Sequence, residues 1–463
     1  MVEYATVIRG YPEHPTVRAG DQLALRVSTD APELRVDLYR WGPEIVPVGS
    51  SGWLPGRAAP DHLPHHDWGV DGEGLAGEPL PGWPAHRLQI SRECRPGVYV
   101  ADLVEGEGRG KALAATPVRP DGRHSKALFV VKSPTPSASP SILYKLPLFT
   151  YHAYNCVSEE GWSLYSVPEA GRLPRDVPPS VSLRRPGGGT GGTPWDIGNF
   201  DPFDATPRQT FVHWDAPFVR WLEGNGYHVD YCTDLDLHLE GRSLLAPYRL
   251  LVSAGHDEYW TDAMRDSVER FVHGGGNVAF FGGNTCWWRV TFDDDWSFRR
   301  VAEWWDRAGP ARPENSLTGV SFRNGGERDY DDHPVPVGYQ VQHADHWLFE
   351  GTGLGDGDRF GDAPDEYLVG YECDGAHFDR AALEAGRPVT PTGEDGTPPS
   401  FVILGVGDLA PSGWGNGNRA ATMGVFNAGG TVFNAATTDW ARLLAAGHPV
   451  VDRITRNVLD RLR

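Results

Sequence analysis

The stretch from Tyr248 to Phe281 limits the possible folds more than any other part of the chain. Tyr248 to Ala254 is an apolar run and reads as a strand. Thr261 to His273 then sets Met264, Val268, Phe271 and Val272 on one face at helical spacing, and Gly274-Gly275-Gly276 stops the helix. Asn277 to Phe281 is apolar without alternation, as expected for a strand buried on both faces. Strand, helix and strand in this order imply a parallel, right-handed unit, because a right-twisted strand feeding a helix packs back on its sheet with one hand. In open α/β sheets ligands collect outside the carboxyl ends of the strands. Two segments fall at that edge: Gly255-His256-Asp257-Glu258 after the first strand, and Gly282-Gly283-Asn284-Thr285-Cys286 after the second.

The flanking sequence extends this pattern. Asp215 to Glu223 is a helix candidate with Asp215 as its cap, and Tyr227 to Tyr231 is a strand. Phe401 to Leu404 and Thr431 to Phe433 read as further strands, and Val451, Ile454, Val458 and Leu459 form the apolar face of a closing helix. Residues 1–132 differ. Leu23 to Val27, Leu34 to Tyr39, Gly97 to Leu103 and Ala127 to Val131 repeat with period two, the mark of strands with one wet face. The Pro-, Gly- and Trp-rich stretch from about 45 to 90 reads as long loops. The expected architecture is a β-sandwich (Ig-like) domain over 1–132, a linker over 133–142, and an α/β catalytic domain over 143–463. The last is expected to be mostly parallel and doubly wound, resembling the class I glutamine amidotransferase-like folds.

Charge and composition exclude several function classes. The chain has 463 residues, with 42 Lys+Arg against 62 Asp+Glu and a formal charge of −20, which repels nucleic acid and anionic membrane surfaces. Met1 to Gly10 has no apolar signal core, and no run reaches the roughly 18 apolar residues of a membrane span. Five scattered cysteines without a C-x-x-C pair read as reduced thiols, giving an expectation of a cytoplasmic protein. The 17 tryptophans suit both a large core and an aromatic-lined cleft.

Several residues carry candidate chemistry beside a plainer reading. His256 and Glu258 are titratable groups on a strand-to-helix turn, and Asn284 offers an amide at the same edge. Cys286 reads as a thiol nucleophile with His256 as its base, or, more commonly, as an inert buried cysteine. Glu372 stands where the strand-like run Tyr367 to Gly370 ends, as an acid/base candidate or a solvated loop charge. Tyr154 and Tyr165 are packing tyrosines or ligands. Pro186 to Gly192 lacks the Gly-Lys-Ser/Thr of a phosphate loop and reads as a flexible surface loop. A carbohydrate-binding, non-catalytic protein remains open on the β-rich first part and the tryptophans.

Ala153-Tyr154-Asn155, Ser163-Leu164-Tyr165, Gly255-His256-Asp257-Glu258-Tyr259-Trp260, Gly283-Asn284 and Asn434-Ala435-Ala436-Thr437-Thr438-Asp439-Trp440 follow one another in that order. From about Leu143 onward the chain thereby resembles the large (β) subunit family of N,N-dimethylformamidase. The resemblance implies a metal-dependent amidohydrolase that cleaves a C–N amide bond of a small molecule at a mononuclear Fe(III) site, one ion per chain. The implied ligands are Tyr154, Tyr165 and Glu258; His256, Asn284 and Glu372 take the implied catalytic positions. Two phenolates and a carboxylate suit a hard trivalent ion, which in turn favours the phenolate form. A non-hydrolytic step at the same iron, such as cyclisation or rearrangement in secondary metabolism, stays open. So do self-association and the need for a small-subunit partner.

Overall fold

The computed structural model describes residues 8–29, 31–59, 83–105, 124–133, 141–155, 164, 180–189, 210–294, 296–327, 335–364, 366–412 and 419–463. These residues build a β-rich fold of five sheets, with fewer and mostly short helices.

The largest sheet has nine strands, and its order explains where chemistry can collect. Val229–Thr233, Ile142–Leu146, Leu250–His256, Asn277–Gly283 and Gly430–Asn434 lie side by side and parallel. Ala420–Ala428, Val402–Asp408, Tyr339–Val341 and Arg359–Phe360 continue the sheet antiparallel. Leu250–His256 is buried throughout, and Asn277–Gly283 is buried after its first residue. Side chains of both faces are therefore covered, which is why these runs show no alternation. They pair in register from Leu250↔Asn277 to His256↔Gly283, so His256 and Gly283 finish level with each other. The intervening helix, Asp262–His273, starts where Thr261 accepts a hydrogen bond from the Met264 N–H and buries Met264, Val268 and Val272, as the spacing predicts.

Two smaller sheets precede it. Ile8–Pro12, Gln22–Thr29 and Ala85–Gln89 form one; Thr16–Arg18, His124–Lys132, Gly97–Glu105, Glu33–Arg40 and Val46–Pro55 form the other. Leu23, Leu25 and Val27 of the first meet Leu34, Val36, Leu103, Phe129 and Val131 of the second in one apolar cluster. The alternate residues Val98, Val100, Leu128 and Val130 point the other way, into the core of the nine-stranded part. Gly97–Glu105 thus has no wet face, contrary to the period-two expectation: its second face is covered by the rest of the chain. Trp41 and Arg40 secure that contact. The Trp41 indole donates to the Ala216 carbonyl at 3.3 Å, and Arg40 pairs with Glu223 at 2.7 Å.

Other expectations are corrected. The stretch expected as loops from 45 to 90 contains two strands, Val46–Pro55 and Ala85–Gln89. Among the described residues Val46–Pro55 pairs only with Glu33–Arg40, and it is exposed along most of its length, so no apolar alternation marks it. Trp53, 43% exposed, is covered by the Arg35 guanidinium. The helix Ala216–Gly224 forms, but Asp215 makes no side-chain cap. Its carboxylate accepts instead from the hydroxyls of Tyr144 and Tyr151.

Candidate functional site

The chain turn His256-Asp257-Glu258 is held from beneath by a buried cation. Lys145 Nζ lies 2.5 Å from Asp234 Oδ1 and 2.7 Å from Asp257 Oδ1, with no side-chain exposure at the lysine. Asp257 also accepts from Ser253 Oγ at 2.6 Å and Trp260 Nε1 at 3.0 Å, and the ammonium lies over the Trp260 ring at 5.0 Å. Burial works against the lysine's charge, but Asp234 and Asp257 outweigh it and hold its pKa above the ordinary range. With Asp257 committed inward, its neighbours His256 and Glu258 face the other way.

His256 and Glu258 meet two groups from elsewhere. Tyr154, at the end of the helix Leu148–Tyr154, donates its hydroxyl to Glu258 Oε2 at 2.8 Å. The Glu258 N–H is fixed by the Thr150 hydroxyl of the same helix at 3.0 Å. Glu372 Oε2 comes within 2.8 Å of His256 Nε2, and Glu258 Oε2 within 3.3 Å of the same nitrogen. Asn284 Nδ2 lies 3.4 Å from it. The imidazole is 0% exposed. Burial, the largest single influence, disfavours its charged form, yet Glu372 and Glu258 together raise its pKa to about 9. Burial raises Glu258, partly countered by His256 and by the Tyr154 hydroxyl.

Glycines make this convergence possible. Gly255 has φ +68°, and a Cβ there would stand 2.5 Å from Trp214 Cβ. A Cβ on Gly283 would meet the Glu372 carbonyl at 2.8 Å and the Thr438 nitrogen at 2.9 Å. The expected close approach at Gly282-Gly283 is thus made by chain rather than ligand: it lets the Glu372 segment lie against the strand end. Thr438 then clamps Glu372, donating its N–H to the Glu372 carbonyl at 3.1 Å. Glu372 opens a strand, Glu372–Gly375, rather than following one, because Tyr367 to Gly370 forms only an isolated bridge at Val369.

Several contributors escaped sequence reasoning. Asp374 accepts the N–H groups of Asn284 (3.0 Å) and Thr285 (3.2 Å), fixing Asn284 at a left-handed φ of +48°. Burial pushes the Asp374 carboxyl up to about 8 despite these bonds. Trp214 and Tyr371 stack on each other and flank the His256 ring at centroid distances of 6.2 and 6.3 Å. The only hint of Asp374 was its place two residues after Glu372.

Tyr165 lies outside the described residues. Its neighbour Leu164 donates its N–H to the Ala153 carbonyl at 2.9 Å and accepts from Arg300 at 2.6 Å. Among the described residues, no group of three or more His, Cys, Asp or Glu side chains is set out to hold a metal ion. One acceptor at the centre, Asn284 Oδ1, is buried without a hydrogen-bond partner among the described residues, whereas Glu372 Oε2 has the His256 ring beside it. Cys286 speaks against a thiol amidase: it is 0% exposed and burial drives its pKa far up, the reverse of an activated nucleophile. Gly188, expected on a surface loop, packs so tightly on His152 that a Cβ would sit 2.1 Å from its Nε2.

The sequence profile of the N,N-dimethylformamidase beta subunit-like, C-terminal family matches residues 77–453. The chain belongs to this family. Two members, the N,N-dimethylformamidase beta subunits of Alcaligenes sp and Paracoccus aminophilus, are each 28% identical over 204 residues. The match covers 38% of this chain and only 26% of each relative, so the chain spans about a quarter of their length. Among solved structures, an exo-β-1,4-mannosidase from Opitutaceae bacterium strain TAV5 aligns over 69% of this chain and 34% of its own, at 11% identity and a TM-score of 0.28. A ThuA-like protein from Parabacteroides merdae aligns over 46% and 70%, at 13% identity and a TM-score of 0.25. Scores this low carry no argument. Among the described residues, no helix is long and apolar enough to cross a membrane, and Cys94, Cys232, Cys286 and Cys373 are unpaired.

Proposed function

We propose that this member of the family is a metal-dependent amidohydrolase acting on the C–N bond of a small amide. The observation that carries the reading is the convergence of Tyr154, Glu258, His256, Glu372 and Asn284 at one buried strand end. The donor chemistry fits a hard cation. A phenol and two carboxylates gather around one point, and the buried Asn284 Oδ1 there lacks a partner among the described residues. Tyr154, Tyr165 and Glu258 would hold the ion, Fe(III) at one per chain. When bound, it supplies Lewis-acid polarisation of the amide carbonyl and acidification of water.

The chain's own groups divide the remaining work. Glu372 takes a proton from the attacking water, and His256, at hydrogen-bond distance from it, passes a proton to the departing amine. With His256 as an imidazolium, the Asn284 amide oxygen rather than its nitrogen would face the ring, satisfying the orphaned Oδ1 and freeing Nδ2 to donate to the developing oxyanion. Trp214 and Tyr371 exclude water behind the imidazole. The fold reading accompanies this one. Residues 1–132 form an Ig-like β-sandwich of structural role, 133–142 link it, and 143–463 form a doubly wound α/β catalytic domain; the shared core of the first two sheets and the five parallel strands support it.

The test is metal content with turnover of N,N-dimethylformamide and small relatives. Glu258→Gln and Tyr154→Phe should lose iron, visible colour and turnover together, whereas Asn284→Ala should keep iron and lose about 10²-fold in kcat. Full activity in iron-free, colourless protein would overturn the reading.

A further inference from the structure

We propose that the amino edge of the large sheet carries a separate site for a small, multiply charged phosphate compound. A cavity of about 770 Å³ opens there, between the start of the strand Leu250–His256, the end of the helix Asp262–His273 and the end of the helix Pro449–Leu462. Arg242, Arg249, Arg270, Arg461 and Arg463 line it, and no Asp or Glu side chain does. The whole chain, by contrast, is acidic, with a formal charge of −20. Five guanidinium groups around one hollow invert that field locally and draw anions to it.

Arg242, Arg249 and Arg270 are available rather than consumed, while Arg461 and Arg463 are partly engaged. All five are exposed. Arg242 and Arg249 have no ion pair among the described residues. Arg270 has only a 3.7 Å approach to Asp266, which Arg312 holds more closely at 2.7 Å. Arg463 pairs with Asp460 at 3.0 Å and lies over the Tyr227 ring, and Arg461 lies over the Trp347 ring. The Asn277 amide donates to the Leu462 carbonyl at 2.7 Å, tying the helix end that bears Arg461 and Arg463 to the start of the next strand.

The same geometry selects the ligand class. The N–H groups of Gly274, Gly275 and Gly276 already donate to the carbonyls of Arg270, Val272 and Phe271, so the backbone offers no anion cradle. The C-termini of two helices, Asp262–His273 and Pro449–Leu462, also face the hollow and mildly repel anions. Attraction must come from guanidinium forks, which match phosphate oxygens two at a time. The volume falls within the roughly 300–1,000 Å³ of small-molecule sites. Arg249 and His256 stand at opposite ends of a strand, about 20 Å apart, so a ligand here does not touch the candidate catalytic centre.

Calorimetric titration of the full chain with inorganic pyrophosphate tests this without reference to catalysis. One saturable site per chain is expected, weakening as salt is added. Arg242→Gln/Arg249→Gln and, independently, Arg270→Gln/Arg461→Gln should each weaken it at least about tenfold, while the remote, exposed Arg18→Gln leaves it within about twofold. Absence of saturable binding, unchanged affinity in both double variants, or tighter binding of an oligoglutamate peptide than of pyrophosphate would overturn the proposal.

Discussion

Where the strand Leu250–His256 begins, beside Arg249, the surface is open and cationic; where it ends, at His256, the chain closes over carboxylates and a phenol. The six residues between are buried and nearly all apolar, so polar groups can gather only at the two ends. The ends differ in what a charge means there. At the open end water screens each guanidinium, and losing one alters binding far more than stability. At the closed end each ionised group is held by a few fixed partners in a low-dielectric setting, so losing one partner strands another. Substitutions at each end should therefore separate along that line.

The largest effect is expected at Lys145. Lys145→Met removes the one cation between Asp234 and Asp257 and leaves two buried carboxylates without it. Breaking a buried pair from one side typically costs about 3–5 kcal/mol. Denaturant unfolding should show a loss of that order, and turnover should fall as the His256-Asp257-Glu258 turn loosens. A loss below about 1 kcal/mol would mean that the network under the turn is not what fixes it.

A smaller effect, with a defined sign, is expected at Asp215. Burial raises its pKa to about 7, against the pull of the Tyr151 and Tyr144 hydroxyls. Its unfolded value is near 3.9. Between about pH 4 and pH 7 the native state therefore keeps a proton that the unfolded chain has released. The stability this contributes is complete below about pH 4 and is lost as pH rises to about 7. Relative to Asp215→Asn, the wild-type chain should lose up to about 1.4 kcal/mol per pH unit across that window. A pH-independent difference between the two would place Asp215 in its ionised form throughout.

The two ends were unequally legible in the sequence. Strand Leu250–His256, helix Asp262–His273 and strand Asn277–Gly283 could be read because burial on both faces and 3.6-residue spacing are local properties. His256, Glu258 and Asn284 followed from them, since a strand end is a position in the chain as well as in space. Lys145 and Trp214 could not be read: each reaches the centre through packing, and nothing in its own segment marks it. Strand Val46–Pro55 failed for the opposite reason, as an exposed edge carries no alternating apolar signal. The arginine cavity draws on residues from 242 to 463, each an ordinary surface arginine in its own segment.

The smallest stability effect is expected at those arginines, and its smallness matters. Arg242 and Arg249 are exposed and, among the described residues, have no ion pair to lose. Substitutions at such positions usually change stability by no more than about 0.5 kcal/mol. Arg242→Gln/Arg249→Gln should accordingly unfold within about that margin of the wild-type chain. Removing two like charges from a crowded hollow could even stabilise it slightly, since five guanidinium groups repel one another. A destabilisation of several kcal/mol would show that these side chains brace the fold, erasing the contrast between the two strand ends. A near-neutral result leaves Arg242 and Arg249 as cations whose closeness to three others brings no structural gain, the condition expected of groups gathered for an external anion.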